Sequence, residues 1–413
     1  MAAVVATKDS AARVSVKTHT GYSANLPSHQ AAAQFVPAME VIRSFSANTV
    51  GTWSSYSEVL LTPDQLPDVC DKFTLQLVLG AATKTGGTVI SIVNDGSFLN
   101  RLIEVSIGSE LISSLYPEAT YLNNVLHYPT EQKFKFLPAA GNAAVATRRT
   151  NTAAGQTLFL DLPIPFVQKY GWLSKSHSQA LRIKIYHANL SDIVQTDGTA
   201  PVMAISSVSM NVSGRNYINQ SSLAAVVQTQ KKLGHVDERF LDPIQQQFSL
   251  ASGSTSYTIQ LTNFVGIFDH LLFVVRAASS IGTPLANAPD AFVAVASYNL
   301  KDSAGNIVVP ELASAYALGP LLAKYVQGDA TDIASGLGSV QKYVYPVFFG
   351  GRPEESLRKG TQHGFMRLDG LAKIQLTFAS SLSAASVVDV IGFTWANLSA
   401  DANGIIKKSL VVA

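Results

Sequence analysis

The sequence predicts an all-β protein made of two tandem β-sandwiches with short connecting helices. Its 413 residues exceed one ordinary hydrophobic core and suit two domains of about 200 residues each. Hydrophobic residues make up 47% of the chain and charged residues 14%, which is typical of a globular protein and not of a disordered one. Short apolar runs bounded by turn-forming residues follow one another in two series.

The chain divides into an arm and two sandwiches. Residues 1–35 are rich in alanine, carry Lys8, Arg13 and Lys17, and show no sustained apolar period, so we predict an arm. We predict the first sandwich over 36–232 and the second over 233–413. The strands predicted for the first are Ser54–Leu61, Phe73–Leu79, Thr88–Val93, Leu102–Ile107, Thr157–Leu162, Leu181–Tyr186 and Ala204–Val212.

A second series of strands begins after Asp237. The longest apolar stretch, Phe264–Val275, is too short to span a bilayer, and we interpret it as a buried pair of strands. The strands predicted in this half are Tyr257–Leu261, Leu271–Val275, Phe292–Ala296, Tyr343–Phe349, Ile374–Phe378 and Val387–Trp395. Connecting helices are predicted at Tyr121–His127, Gln220–Lys232 and Pro310–Val326.

The two series match in order, which indicates the duplication of a whole domain. Apolar and polar side chains alternate along Leu181–Tyr186, so one face of that strand is dry and the other is wet. This run resembles the one around Ile374, with Ile183 opposite Ile374. Similarly, Ser54–Ser57 resembles Ser254–Tyr257.

Charge and cysteine content exclude several functions. Thirty basic and 28 acidic residues leave a formal charge of +2, so the chain lacks the concentrated positive field of a nucleic-acid-binding surface. Cys70 is the only cysteine, which excludes an intramolecular disulfide and suits a reducing cytoplasm. The apolar start, Met1–Ala6, precedes the charged residues, which reverses the order of a secretory signal.

The sequence carries no signature of catalysis. Its eight histidines form no His-x-His pair and no His-Glu-x-x-His motif, which argues against a metal site. Gly-x-Ser-x-Gly, Gly-x-Gly-x-x-Gly and phosphate-loop strings are missing as well. The nearest glycine loop, Ser335–Ser339, has no lysine after it and is typical of a surface connection. We therefore predict no enzymatic activity, no metal and no cofactor.

Strings in both halves resemble one family. Leu102–Ile107 turns at a glycine, and Leu158–Leu162 runs into a Pro-x-Pro-Phe string. In the second half, Tyr343–Phe349 precedes a Pro-Glu and glycine loop that ends in an Arg-x-Asp step. This order resembles the double jelly-roll major capsid proteins of tailless membrane-containing phages, adenovirus and the large nucleocytoplasmic DNA viruses. The motif residues are Gly108, Pro163, Pro165, Phe166, Pro353, Gly360, Gly364, Arg367 and Asp369.

The resemblance implies a function as well as a fold. It implies two eight-stranded jelly rolls side by side, and a homotrimer that forms a pseudo-hexameric capsomer of an icosahedral shell. The implied partners are neighbouring capsomers, penton and minor capsid proteins, and an internal viral membrane contacted by the arm. The implied location is the virion, after synthesis and assembly in the host cytoplasm. A length of 413 residues favours a bacteriophage or another small virus over the large eukaryotic members.

Two other functions fit two sandwiches. A receptor- or carbohydrate-binding protein, such as a spike or lectin-like module, is the main alternative, because jelly rolls host many functions. Exposed aromatic clusters on loops would favour it. A glycoside-processing enzyme would need paired carboxylates in a cleft, and the adjacent Glu354 and Glu355 make a poor pair.

Overall fold

The computed structural model describes residues 38–127, 130–168, 172–218, 221, 223–224, 227–228, 238–278, 291–322, 343–349, 365–400 and 405–410. The predicted arm, the Ser335–Ser339 loop and much of the helix predicted at Gln220–Lys232 lie outside these residues. Among the helices described, none is long and apolar enough to cross a membrane.

The first half of the chain forms thirteen strands, five α-helices and two 3-10 helices within the described residues, of which 221, 223–224 and 227–228 are helical as well. The strands are β1 Ala38–Ser46, β2 Tyr56–Leu61, β3 Val69–Leu79, β4 Thr83–Thr85, β5 Ile90–Ile92, β6 Asn100–Ile107, β7 Glu110–Leu115, β8 Gln156–Leu162, β9 Trp172–Leu173, β10 Leu181–His187, β11 Val194–Thr196, β12 Thr199–Val202 and β13 Ile205–Tyr217. The helices are α1 Pro117–His127, α2 Thr130–Ala139, α3 Val145–Ala154, α4 Pro165–Gln168 and α5 Leu190–Ile193.

The second half continues the series with ten strands and one short helix in the described part of the chain. The strands are β14 Glu238–Leu250, β15 Ser256–Gln260, β16 Val265–Ala277, β17 Ser297–Lys301, β18 Ile307–Ala313, β19 Val344–Phe348, β20 Met366–Asp369, β21 Lys373–Thr377, β22 Ser386–Ala400 and β23 Ile406–Leu410. The helix is α6 Ser314–Tyr316, and a π-helical turn follows it at Ala317–Leu321.

The strand order of the four main sheets is the same in both halves. In the first half, β1-β13-β3-β8 and β2-β10-β6-β7 form two antiparallel sheets. In the second half, β14-β22-β16-β19 and β15-β21-β17-β18 repeat that order strand for strand. Two eight-stranded jelly rolls therefore follow one another, as the sequence predicts.

The internal repeat holds at the level of individual residue pairs. Ile183 on β10 pairs with Val59 on β2, and Ile374 on β21 pairs with Ile259 on β15. All four side chains are buried, each in the core of its own sandwich. The two isoleucines aligned in the sequence therefore occupy equivalent positions in the two folds.

Alternation of polar and apolar residues builds the first core. On β10, Leu181, Ile183 and Ile185 are buried, while Arg182 is exposed and Lys184 is half-buried. This is the burial pattern of a strand with one face on a core and one towards solvent. The sequence predicts this burial correctly, because the alternation of polar and apolar residues arises within a single strand that buries only one face.

The strand at the centre of the second core is different, because both of its faces are buried. Every residue of β16 from Ile267 to Arg276 is buried. Leu271, Phe273 and Val275 belong to the core of the second sandwich. Leu272 and Val274 belong to a cluster that consists mainly of side chains from the first half. The second sandwich therefore packs against the first through the outer face of this sheet.

Three predictions about elements of the second half are wrong. Phe264–Val275 lies almost entirely in the single strand β16 and is not a strand pair, since the polar break at Asp269 and His270 is buried within the strand and the two side chains contact each other at 2.9 Å. Phe292–Ala296 makes only a bridge at Phe292, and β17 starts after it at Ser297. The range Pro310–Val326, where a helix is expected, starts within strand β18, which pairs with β17. Its Pro320 lies in the π-helical turn.

Candidate functional site at the joint between the sandwiches

The surface between the two sandwiches, here called the joint, has an apolar part built from aromatic rings. Phe166 of α4 contacts Phe240 of β14 at a centroid distance of 6.3 Å and an interplanar angle of 70°. Phe166 also packs edge-on against Trp172 at 5.2 Å. Tyr121 of α1 meets Phe292 of the second half at 6.3 Å. Edge-to-face aromatic pairs of this kind stabilise a contact beyond the area that they bury.

Hydrogen bonds also cross the joint. The Ser113 hydroxyl on β7 donates to Asp242 Oδ1 on β14 at 2.7 Å. Within the second sandwich, Lys408 Nζ lies 2.5 Å from Asp242 Oδ2. The backbone N–H of Ile406 donates to Gln179 Oε1 at 2.9 Å. Burial raises the pKa of Asp242, and the bonds from Lys408 and Ser113 oppose that rise.

A buried ionic cluster is the most polar feature of the joint. Arg276 Nη2 on β16 lies 2.5 Å from Glu118 Oε1 on α1 and 2.7 Å from Asp389 Oδ2 on β22. Arg276 and Asp389 are 2% and 0% exposed, and Glu118 is 6% exposed. One guanidinium therefore holds a carboxylate from each sandwich. Burial alone would lower the pKa of Arg276, but the two carboxylates raise it.

Two glutamines complete the cluster. Gln245 Nε2 on β14 donates to Glu118 Oε2 at 2.8 Å, and Gln247 Nε2 donates to Asp389 Oδ1 at 2.9 Å. The cluster lines a cleft of about 400 Å³ between the sandwiches. Burial, with Glu118 nearby, raises the pKa of Asp389 to about 6 even though Arg276 opposes the shift.

A second buried polar chain has the residue types of a catalytic triad. Ser57 Oγ lies 2.7 Å from His187 Nε2, and His187 Nδ1 lies 3.1 Å from Asn100 Oδ1. Ser57 and His187 are both 0% exposed, so no substrate can reach the hydroxyl. Burial lowers the pKa of His187 to about 4, which keeps the ring neutral. These hydrogen bonds link β2, β10 and β6 beside the register shift at Tyr186 and His187.

Four of the motif residues lie in the first sandwich. Gly108 forms the β6–β7 turn with a φ of +61°, and a Cβ there would meet the Gln179 side chain at 2.3 Å. Pro163 follows the last residue of β8, and Pro165 opens α4. Since proline cannot donate to a strand ladder, the Pro-x-Pro step ends β8 and brings Phe166 to the joint.

The motif residues of the second half do not reach the joint cluster. Arg367 and Asp369 lie on β20, both exposed, and pair with Ile267 and Val265 of β16. The Asp369 carboxylate accepts the backbone N–H of Leu371 at 3.0 Å, and no salt bridge between described residues joins it to Arg367. The other three, Pro353, Gly360 and Gly364, lie outside the described residues.

Sequence reasoning missed the ionic cluster. Glu118, Arg276 and Asp389 are far apart in the chain and form no short motif. One signal was present: Arg276 ends an apolar run and Asp389 interrupts another, and a charge in such a run needs a buried partner.

No protein-family model and no curated protein matches this chain. Solved structures do match it. VP54 of PBCV-1, fitted into a reconstruction of the virophage Sputnik, matches with a TM-score of 0.66 at 13% identity over 91% of this chain and 98% of that chain. A chain of the PBCV-1 virus capsid gives 0.63 at 12% identity over 92% and 98%. The Faustovirus major capsid protein gives 0.65 at 8% identity over 96% and 93%. This chain therefore has the double jelly-roll fold of viral major capsid proteins that its sequence resembles.

Proposed function

We propose that this protein is the major capsid protein of an icosahedral DNA virus. The observation that carries the proposal is the whole-length match. The match to the Faustovirus major capsid protein extends over 96% of this chain and 93% of that protein. A capsid protein acts by assembly, so its functional groups are surfaces. The comparisons give no support to the alternative of a receptor- or carbohydrate-binding module, and we assign no catalytic activity to the chain.

The proposed assembly unit is a homotrimer whose six jelly rolls form a pseudo-hexameric capsomer. The support comes from a difference between two sheets that hold equivalent places in the two sandwiches. The outer face of β14-β22-β16-β19 is covered by the first sandwich. The outer face of β1-β13-β3-β8 is only partly covered, and Ile42 on β1 is 79% exposed there. We propose that the outer face of β1-β13-β3-β8 meets a neighbouring chain.

The remaining parts of the proposal concern boundaries and partners. We propose 36–232 and 233–413 as the two domains, with 1–35 as an arm that ties neighbouring capsomers together or contacts an internal viral membrane. Penton, minor capsid proteins and neighbouring capsomers are the proposed partners within the virion. The nine motif residues are proposed as structural determinants of the fold and not as a binding site.

The test of the proposed function is the assembly state of the purified protein. We expect light scattering to give three times the 43.9 kDa mass of one chain. We also expect negative-stain images to show threefold particles with a hexagonal outline. A monodisperse monomer at micromolar concentration would contradict the capsomer.

A further inference from the structure

The ionic cluster of the joint has an imbalance of charge. Two carboxylates, Glu118 and Asp389, share one cation, Arg276, and a single nitrogen, Nη2, contacts both. The two glutamines donate hydrogen bonds but carry no charge. With all three ionisable groups charged, the cluster holds one more negative than positive charge among the described residues, which is unfavourable in a poorly hydrated environment.

The other charged groups among the described residues that line the cleft do not balance this excess negative charge. Arg101 of β6 also lines the cleft, but its guanidinium lies over the Tyr186 ring at 5.7 Å. Asp192 of α5 lines the cleft as well and adds a further carboxylate, which accepts a hydrogen bond from Asn189. In the described part of the lining, the remaining ionisable group is the phenol of Tyr116.

We propose that Asp389 takes up a proton as the pH falls below neutral, and that this proton strengthens the joint between the two sandwiches. The proton neutralises the excess negative charge beside Arg276. The cluster thus acts as a pH-sensitive contact between the halves of the chain. This inference concerns the folded chain itself and does not rest on the proposed capsid function.

The direction of the pH effect follows from the raised pKa. An unfolded aspartate has a pKa near 3.8, whereas burial and Glu118 raise the pKa of Asp389 to about 6. Between these values the folded state binds more protons than the unfolded state. The contribution of this carboxyl to stability is therefore largest at low pH and is lost as the pH rises through about 6.

The test uses the full chain and the variant Asp389→Asn, which is neutral at every pH and keeps the shape of the carboxyl. Chemical unfolding at pH 7.5 and pH 5.0 gives the folded-to-unfolded ratio of each protein. We expect the wild-type ratio, divided by that of Asp389→Asn, to rise about tenfold from pH 7.5 to pH 5.0. The matched control is Asp192→Asn, the same change in the same cleft outside the cluster, for which we expect no change.

Glu118→Gln removes the neighbouring carboxylate that helps to raise the pKa of Asp389. The wild-type ratio divided by that of Glu118→Gln should therefore also rise on acidification. A ratio that stays flat, or that falls on acidification, in both variants would overturn the proposal. Failure of both variants to fold would also overturn it, since the proposal requires the joint to accept a neutral group at one of these positions.

Discussion

Strands β3 and β16 hold the same place in their two sandwiches, yet the polarity of their side chains differs mainly on the outer face. On β3, Phe73, Leu75 and Leu77 point into the core, whereas Thr74 and Gln76 on the outer face are half-buried. On β16, the outer face is buried as fully as the inner face. The inner faces are alike because each closes its own sandwich.

The outer faces differ because only one of them is covered within the chain. In the first sandwich, Asn211 Nδ2 on β13 donates to Gln76 Oε1 at 3.1 Å, so polar side chains satisfy one another there. In the second, Leu272 and Ile391 pair in register and pack against the first sandwich. A face that is always covered tolerates an apolar surface, whereas a face that stays in water before assembly must be polar enough to remain soluble.

The largest expected difference between the two sheets concerns their arginines. Arg276→Met leaves two buried carboxylates without a cation, and we expect the free energy of unfolding to fall by about 3–5 kcal/mol. Arg215→Met is the matched control, because Arg215 on β13 pairs with Asp71 on β3 at 2.8 Å in an exposed position. For that pair we expect a loss of about 0–1 kcal/mol. Urea unfolding of both variants measures the contrast, and equal losses would contradict it.

A slightly smaller contrast is expected for the outer-face side chains. Leu272→Ala leaves a cavity in the joint, and we expect it to lower the free energy of unfolding by about 2–5 kcal/mol. Gln76→Ala on the outer face of β3 removes one partly buried hydrogen bond and should cost about 1 kcal/mol. Thermal unfolding of the two variants would contradict the comparison if Gln76→Ala proved the more damaging.

The smallest effect on stability, and the largest on assembly, is expected at the edge of the first sheet. Ile42→Glu changes an exposed side chain, so the free energy of unfolding of the single chain should change by less than about 0.5 kcal/mol. We expect it to weaken the trimer, since it adds a charge to the face proposed to meet a neighbouring chain. Light scattering across a dilution series measures this. Ile307→Glu, at an exposed position on β18, is the comparison variant.

Retention of an unchanged trimer by Ile42→Glu would place the contact elsewhere. Equal weakening by Ile307→Glu would show that any added charge disfavours association. Either result would contradict the proposal that the uncovered face of the first sheet meets a neighbouring chain.

The sequence predicts well the elements whose pattern arises within a single strand. Leu181–Tyr186 alternates because one face meets a core, and Gly108 marks a turn because a φ of +61° favours glycine. It predicts poorly where burial on both sides removes the alternation. Phe264–Val275 was predicted as two strands because Asp269 and His270 interrupt its apolar run, although both are buried in mid-strand. The strand β14 was missed because its Gln245, Gln246 and Gln247 give no apolar period.

The sequence by itself predicted two tandem β-sandwiches, because strand periodicity, turn residues and the repeat around Ile183 and Ile374 are local properties of the chain. That the sandwiches are jelly rolls was implied by the resemblance of its motifs to one family. Only the tertiary structure decided that the rolls meet through one sheet, and that Arg276 holds Glu118 and Asp389 together across it. The physical reason is that a joint between domains depends on side chains brought together from distant parts of the chain, and no local pattern records which charges share a buried space.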